Sequence, residues 1–300
     1  MRTELSAFEP HPRISVIIPV FNDADGVARC LGAIAEQTYP LERIEVIVVD
    51  NGSTDPISVE VPHPFVFRVL REKQPGSYAA RNAGARAAEG DILAFTDADC
   101  WPDPDWLTLG VHAIRSSGGR SIVGGEVAFK RPIPLRAAAL YQLVTGFGQA
   151  DNVRARGFAA TANMFCTRHQ FQVTGPFDTR LLSGGDREWC WRARKGGFAT
   201  VFCQASRVHT FPRNNLSGAI RQARRVAAGR KMLRDLGLAH LGGAMVGKHR
   251  STLASLRWLL GEIDLSFRDR LRVYGVATMI YGATMAERLR LFLGGSAERR

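Results

Sequence analysis

The chain has 300 residues, 45% of them hydrophobic, which suits one large domain or one domain with an appendage. Its net charge of +12 is uneven: residues 1–212 hold 23 Lys and Arg against 22 Asp and Glu, and residues 213–300 hold 17 against 6. Five widely spaced cysteines and an N-terminus without an apolar core argue against a disulfide framework, a cysteine metal site and a signal peptide. We therefore expect a cytoplasmic protein whose last third is basic.

Short apolar runs alternate with helical spacing through the first 130 residues. Near-continuous apolar strands are typical of a sheet that is buried on both faces. The predicted fold class is therefore α/β, with a mainly parallel sheet and helices on both faces. Strands are predicted at 13–19, 44–49, 65–70, 92–97 and 121–127, and helices from the turn at 21–26 to about 37, at 78–88 and at 103–116, the last capped by Asp103.

The pattern loosens after residue 130. The spacing predicts a helix at 134–148, a strand at 162–166, a helix at 186–195 in which Glu188 and Arg192 form an i,i+4 pair, and a strand at 199–202. Beyond residue 212 the sequence predicts a basic helix at 213–235 and two further helices at 251–265 and 267–293.

Two acids stand at the end of a predicted strand. Asp97 and Asp99 follow an apolar run and are separated by one small residue. Alternation along an extended chain would turn both carboxylates to one side, at the edge where open α/β sheets bind ligands. Carboxylate oxygens suit Mg²⁺ or Mn²⁺. Spacing alone also allows a capping Asp in an ordinary loop.

Five motifs in a fixed order resemble the family 2 nucleotide-sugar glycosyltransferases, which have the GT-A fold. The resemblance covers about residues 13–212, and each motif would be weak by itself. The motifs are IIPVFN at 17–22, VVDNGSTD at 48–55, ARNAG at 80–84, TDAD at 96–99 and GGDRE at 184–188.

The resemblance implies an activity and a division of the chain. The activity is inverting transfer of a sugar from a UDP-sugar, or another nucleotide-sugar, to an acceptor hydroxyl in cell-surface glycan or glycolipid synthesis. Residues 1–212 would be the catalytic domain, with a nucleotide-sugar half at about 13–127 and an acceptor half at 128–212. Residues 213–300 would be a basic helical C-terminal extension.

The resemblance assigns the donor nucleotide to the first strands. Asp50 would hydrogen-bond the uracil ring, and Pro19, Phe21 and Asp23 would line the same pocket. Arg81, just after a predicted helix start, would bind the diphosphate. The plainer alternatives are a turn-forming Asp50 and a solvated surface Arg81.

The resemblance also names metal ligands and a base. Asp97 and Asp99 become ligands of Mg²⁺ or Mn²⁺, and Asp97 also meets the donor. His209 would be a further metal or diphosphate contact, although a lone His is more often structural. Asp186 takes the position of the catalytic base, and its plainer role is a helix cap. Glu188 is the alternative base or an acceptor contact.

One departure from the family pattern lies beside the base. Many relatives have Glu before the catalytic Asp, whereas this chain has Gly185. The second acid is the one that matters in the family, so Asp186 keeps its assignment. Trp189 and Trp191, further along the same predicted helix, would be core residues or a wall against the sugar.

Two other classes of protein fit the sequence less well. A nucleotidyltransferase would show a Gly-rich loop with a Lys after the first strand, where this chain has Pro19 to Asn22. A non-catalytic glycan- or nucleotide-binding relative would not need Asp97, Asp99 and Asp186. No recognised motif indicates a nucleic-acid partner.

The uncharged segment at 273–286 bears on localisation. Its 14 residues are short for a span, which needs about 20. Two interpretations stay open: a helix packed on the catalytic domain, or an interfacial helix on anionic lipid. The second would place the enzyme peripherally on the inner face of the cell membrane, near a glycan or lipid-linked acceptor.

Overall fold

The computed structural model describes residues 11–57, 64–246 and 265–297. The chain forms two compact units. The first contains the chain up to Val127, Gln149–Arg180 and Gly185–His209; the second contains Ala128–Gly148, Leu181–Gly184 and the chain from Thr210 onward. The predicted boundary at residue 212 stays a prediction, because compactness alone does not define a functional domain.

Eight strands form one sheet. They are β1 (Ile14–Val20), β2 (Ile44–Asp50), β3 (Val66–Arg71), β4 (Ile92–Thr96), β5 (Cys100–Pro102), β6 (Ser121–Phe129), β7 (Asn163–Thr167) and β8 (Ala199–Thr210). Their order is β3-β2-β1-β4-β7-β6-β8-β5. From β3 to β4 all neighbours are parallel, as expected, whereas β7 runs antiparallel to both β4 and β6. The result is a mixed α/β sheet with an edge strand, β3.

Nine helices accompany the sheet within the described residues. They are α1 (Ala24–Ala35), α2 (Ser77–Ala87), α3 (Trp106–Ser116), α4 (Ala137–Thr145), α5 (Gln149–Arg156), α6 (Arg168–Thr174), α7 (Gly185–Lys195), α8 (Leu216–Asp235) and α9 (Phe267–Phe292). Short 3₁₀ segments lie at Leu41–Arg43 and Leu238–Val246. The helix predicted at 251–265 lies outside the described residues, except for its last position.

Two helix predictions need correction. The predicted helix at 134–148 is shorter than expected: α4 covers Ala137–Thr145 and ends at Gly146, whose φ of 67° is left-handed. Helix α3 begins at Trp106, so Asp103 does not cap it. The Asp103 carboxylate instead binds His209, and Asp105 occupies the N-cap position.

The first βα unit shows how the sequence fixes the helix positions. Asp23 caps α1, with its Oδ1 accepting from the backbone N–H of Gly26 at 3.0 Å. The apolar face of α1 is buried against the sheet. Gly84 lets α2 lie close on the sheet, because a Cβ there would meet Ile17 Cγ2 at 2.6 Å.

An aromatic cluster connects the sheet to α2, α6 and α7. The Phe95 ring lies 5.5 Å from Phe177 and 6.0 Å from Phe171, and Phe171 stacks on Trp189 at 5.7 Å. Tyr78 adds to the cluster through Phe177, at 5.7 Å. Rings at these distances and orientations pack favourably. The cluster therefore fixes the starts of α2 and α7 above the end of β4.

Helices α4, α8 and α9 pack together in the second unit. Leu140 and Val273 are buried at their centre, and Leu135, Tyr141, Val144 and Leu265 surround them. Gln142 of α4 donates to Gln222 of α8 at 3.1 Å. None of the described helices is long and apolar enough to span a membrane.

One exposed side of α9 carries apolar side chains from the first to the last of its 26 residues, interrupted by the exposed Thr278. Its exposed side chains recur at intervals of three, four or seven residues, which places them on one side of a helix. We call this set the α9 stripe; its members are 41–81% exposed and are Phe267, Leu271, Tyr274, Tyr281, Met285, Leu289 and Phe292.

Candidate active site

Three strands bring predicted site residues to one edge of the sheet. β1, β2 and β4 are parallel, so Phe21, Asp50 and Asp97 follow or end strands at the same carboxyl edge. The chain runs outward from β1 to β3 and then returns through α2 to β4 on the other side of β1. Such a reversal of strand order creates a crevice, where α/β sheets bind ligands.

The loops after β1 and β2 are tied to each other. Asn22 has a left-handed φ of 53°, and its N–H donates to Ser53 Oγ at 2.9 Å. The N–H of Thr54 donates back to Asn22 Oδ1 at 2.8 Å. Asp50 is buried, with Oδ1 accepting from Ser53 N–H at 2.8 Å. Asp50 therefore stabilises this turn, which is the structural alternative to nucleotide binding.

The other predicted nucleotide residues surround this turn. Phe21 directly follows β1 and is 40% exposed. Pro19 lies in β1 and is partly buried. Asp23 uses one carboxylate oxygen to cap α1. The nucleotide-binding roles of these residues remain predictions.

Arg81 and Asp97 form an ion pair. Arg81 is buried in α2, and its Nη2 donates to Asp97 Oδ1. The Arg81 guanidinium also lies over the Tyr78 ring, 5.7 Å from its centroid. Its Nε is buried and has no hydrogen-bond partner in the described part of the chain. The cation predicted to bind the diphosphate thus lies directly beside the first acid of the predicted metal pair.

Asp97 and Asp99 concentrate negative charge at the end of β4. The Asp97 side chain is 38% exposed, and Asp99 is exposed. Burial raises the pKa of the Cys30 thiol above its usual range, and the charges of Asp99 and Asp97 raise it further. Within the described residues, no three His, Cys, Asp or Glu side chains form a group that could hold a metal. Two carboxylates fit Mg²⁺ or Mn²⁺ when phosphate oxygens supply other ligands.

Asp186 lies in the first turn of α7 and is partly buried. Burial raises the pKa of its carboxyl, whereas the backbone N–H of Arg187 and the charges of Arg187 and Arg81 act in the opposite direction. Oδ1 accepts from Arg187 N–H at 2.8 Å and from the Tyr78 hydroxyl at 3.4 Å. A carboxyl with a raised pKa is a stronger base once ionised.

Tyr78 is the site residue that the sequence analysis missed. Its hydroxyl accepts from Gly185 N–H at 2.9 Å and donates to Asp186, while its ring lies against Arg81. A continuous series of contacts therefore runs from Asp97 through Arg81 and Tyr78 to Asp186. The sequence does show an aromatic residue three positions before Arg81, at the start of α2. Its hydrogen-bond partner Gly185 lies 107 residues away, so the sequence alone does not reveal the contact.

The departure at Gly185 has a steric reason. A Cβ at this position would lie 2.7 Å from the Tyr78 ring, closer than real side chains approach. The Glu of many relatives could not be accommodated without moving Tyr78. Gly185 therefore permits the Tyr78 hydroxyl to contact the start of α7.

Glu188 faces away from this series of contacts. It is buried and makes a two-point ion pair with Arg192, at 2.8 and 3.0 Å, so the predicted i,i+4 pair is confirmed. Trp189 is fully buried and its Nε1 donates to Gly175 O at 2.8 Å. Glu188 thus has a structural partner already, and its predicted role as base or acceptor contact remains untested.

His209 is bound to Asp103 instead of standing with Asp97 and Asp99 as a preformed metal site. Its Nε2 lies 2.6 Å from Asp103 Oδ1, and its ring lies 6.1 Å from Trp101. Nδ1 is buried without a hydrogen-bond partner among the described residues. The predicted role of His209 as a metal or diphosphate contact remains a prediction.

The arrangement of strands and helices is that of the GT-A class of fold. Residues 15–152 match the model of glycosyl transferase family 2, so the predicted resemblance is confirmed. The chain is 41% identical over 197 residues to glycosyltransferase AglE of Haloferax volcanii. That match covers 64% of this chain and 64% of AglE, so it spans less than two thirds of the relative.

Solved structures share the fold. The mannosyltransferase PcManGT from Pyrobaculum calidifontis, in complex with GDP-Man and Mn²⁺, superposes with a TM-score of 0.63 at 21% identity, over 93% of this chain and 87% of PcManGT. TarS 1–349 of S. aureus, in complex with UDP-GlcNAc, gives a TM-score of 0.56 at 13% identity, over 95% and 93%. At these identities the likeness establishes the GT-A fold.

Proposed function

We propose that the protein is an inverting glycosyltransferase that moves a sugar from a nucleotide-sugar to an acceptor hydroxyl. We expect the donor to be a UDP-sugar. The observation that carries the proposal is the series of contacts from Asp97 through Arg81 and Tyr78 to Asp186. It connects the donor edge of the sheet with Asp186, the carboxylate that the proposal uses as the base. Synthesis of a cell-surface glycan or glycolipid is the process to which we assign this reaction.

Each residue in the proposal has one task. Asp186 takes the proton from the acceptor hydroxyl, and the resulting oxygen attacks the anomeric carbon from the face opposite the leaving nucleoside diphosphate. Arg81 stabilises the charge that develops on that diphosphate. Asp50, with Pro19, Phe21 and Asp23 around it, holds the nucleotide base.

Asp97 and Asp99 would hold Mg²⁺ or Mn²⁺. When bound, this ion neutralises negative charge on the diphosphate. PcManGT, a GT-A relative, has been solved with GDP-Man and Mn²⁺, which supports use of a divalent metal in this fold. Arg81 would exchange its partner Asp97 for the diphosphate as the donor enters.

A thermal-shift screen tests the proposal. We expect UDP-sugars with Mn²⁺ to raise the melting temperature, because a ligand that binds only the native state stabilises it, by about 2.7 kcal/mol at 100 times its Kd. Asp186→Asn should keep this shift and lose about 10²- to 10⁴-fold in turnover. The exposed Asp105→Asn is the control. Absence of a shift with every UDP- and GDP-sugar, or wild-type turnover in Asp186→Asn, contradicts the proposal.

We also propose peripheral attachment to the inner face of the cell membrane. The α9 stripe supplies an apolar surface with Tyr and Phe among its members, and five arginines lie at the two ends of α9, outside the uncharged segment at 273–286. An apolar face with flanking cations suits an anionic lipid surface. This location would bring the enzyme to a lipid-linked acceptor.

Vesicle flotation tests this location. The protein should float with vesicles of phosphatidylglycerol and phosphatidylcholine, and Leu271→Gln/Met285→Gln/Leu289→Gln should abolish flotation. Val66→Gln/Val173→Gln removes apolar side chains that are exposed outside α9 and should float normally. Flotation that survives the triple substitution, or a dimer that the triple substitution dissociates, would show that the stripe has another partner.

A further inference from the structure

Arg187 follows the proposed base and has an unusual environment. Its guanidinium lies over two aromatic rings, 4.6 Å from the centroid of Phe158 and 5.8 Å from that of Trp191, and both rings are buried. Its Nε is buried and has no hydrogen-bond partner among the residues the structure describes. The rings therefore fix the direction of a guanidinium whose hydrogen-bonding capacity is not fully used.

A second arginine is held beside it. Arg156, at the end of α5, donates from Nη1 to Asn152 Oδ1 at 2.8 Å, and its backbone O accepts from Trp191 Nε1 at 2.8 Å. Trp191 thus contacts both arginines. Across 11–57, 64–246 and 265–297, no carboxylate lies within 4 Å of either guanidinium.

The two positive charges oppose each other. Burial lowers the pKa of Arg187, and the charge of Arg156 lowers it further, while Asp186 has the opposite effect. Arginine nevertheless stays protonated in proteins, so the repulsion and the desolvation persist. Asp186 is the nearby carboxylate, and it forms no ion pair with either arginine, so the two guanidinium groups carry excess positive charge. An anion bound between them would reduce their mutual repulsion.

We propose that Arg156 and Arg187 bind a phosphate group of the acceptor, close to the hydroxyl that Asp186 deprotonates. The inference rests on the proposed function and deepens it by naming the acceptor as a phosphate-bearing alcohol. Two guanidinium groups match the charge and the several oxygens of a phosphate, and arginine presents donors in a fork that suits such a group. The buried rings hold the fork in place before the acceptor arrives.

Calorimetric titration of the full-length protein with methyl phosphate tests the subsite. Arg156→Gln should weaken binding about tenfold to a hundredfold, because it removes charge-assisted hydrogen bonds to the phosphate. Arg154→Gln removes the same charge from an exposed position on the same helix and should stay within about twofold of wild type. Arg81→Gln, which removes the donor-site cation, should also retain methyl phosphate binding.

Wild-type affinity in Arg156→Gln, or loss of binding only in Arg81→Gln, would overturn the proposal. Arg187→Gln should weaken methyl phosphate binding as Arg156→Gln does. If loss of the ring contacts unfolds Arg187→Gln, the comparison of Arg156→Gln with Arg154→Gln still tests the proposal. A prenyl phosphate titrated in parallel distinguishes a lipid source, by tighter binding, from a soluble one. If methyl phosphate binds through Arg156 but no nucleotide-sugar binds, the subsite stands and the proposed function fails.

Discussion

Asp186 holds its carboxylate where burial raises the pKa, even though the Arg187 N–H and two arginine charges favour the ionised form. Below the ordinary Asp pKa of about 3.9, folded and unfolded chains are both protonated at this position. As pH rises, the unfolded chain loses its proton first, so wild-type stability falls until the folded carboxyl ionises as well. The ionised base is therefore held against a free-energy cost.

Replacing Asp186 should reveal that cost. Asp186→Asn keeps an oxygen that can accept from Arg187 N–H and has no charge to desolvate. We expect the variant to be more stable than wild type at pH 7, with a difference that shrinks as pH falls through the raised pKa. Urea unfolding at several pH values measures it. A difference that does not change with pH would mean that burial of the charge is not its cause.

We expect Tyr78 to influence the pKa of Asp186. Tyr78→Phe removes the hydroxyl that donates to Asp186, so the ionised carboxylate loses support and its pKa should rise further. We expect the acid limb of the kcat/KM–pH profile to move to higher pH. Tyr39→Phe removes another buried tyrosine hydroxyl bond, to Pro12 O at 2.7 Å, and should leave the profile in place. Equal profiles for wild type and Tyr78→Phe would restrict Tyr78 to packing.

At the scale of elements, the position of α2 on the sheet depends on Gly84. Gly84→Ala gains about 1 kcal/mol of helix propensity but forces a methyl onto Ile17, and such overpacking costs about 1–3 kcal/mol. We expect net destabilisation. Gly32→Ala in α1 meets nothing within 4 Å and should stabilise by about 0.5–1 kcal/mol. Thermal unfolding of the two variants checks this contrast, and equal shifts would contradict it.

Elements with a strong local pattern were predictable from the sequence. β1, β2 and β4 are buried apolar runs bounded by polar turns, and α2 and α7 begin at recognisable signals. β5 has three residues, too few for any periodicity. The direction of β7 depends on its neighbours in the sheet, which its five residues do not specify.

At the scale of the whole molecule, long-range pairing limited the prediction of the site. Asp97 and Asp186 could be predicted as site residues because each follows a local signal. The ion pair of Arg81 with Asp97 and the bond of His209 to Asp103 were not, since they join separate elements. His209 and Asp103 are 106 positions apart, so only the fold reveals that the histidine already has an acidic partner.

Truncation at residue 212 would test whether α4 needs the C-terminal helices. Leu140 of α4 is buried with Val273 of α9, and α4 also contacts α8. A chain that ends at residue 212 would expose Leu140 and its neighbours. We expect that fragment to aggregate or to bind a hydrophobic dye, as judged by gel filtration and fluorescence. A monomeric fragment with a cooperative melting transition would instead support the predicted boundary.

The fit of the Tyr78 ring against Gly185 links two distant positions in the history of this protein. A side chain at position 185 requires the Tyr78 ring to move or to be replaced, because a Cβ there would lie 2.7 Å from that ring. Descendants should therefore inherit the two residues as a pair, and recombination that separates them should produce poorly folded hybrids.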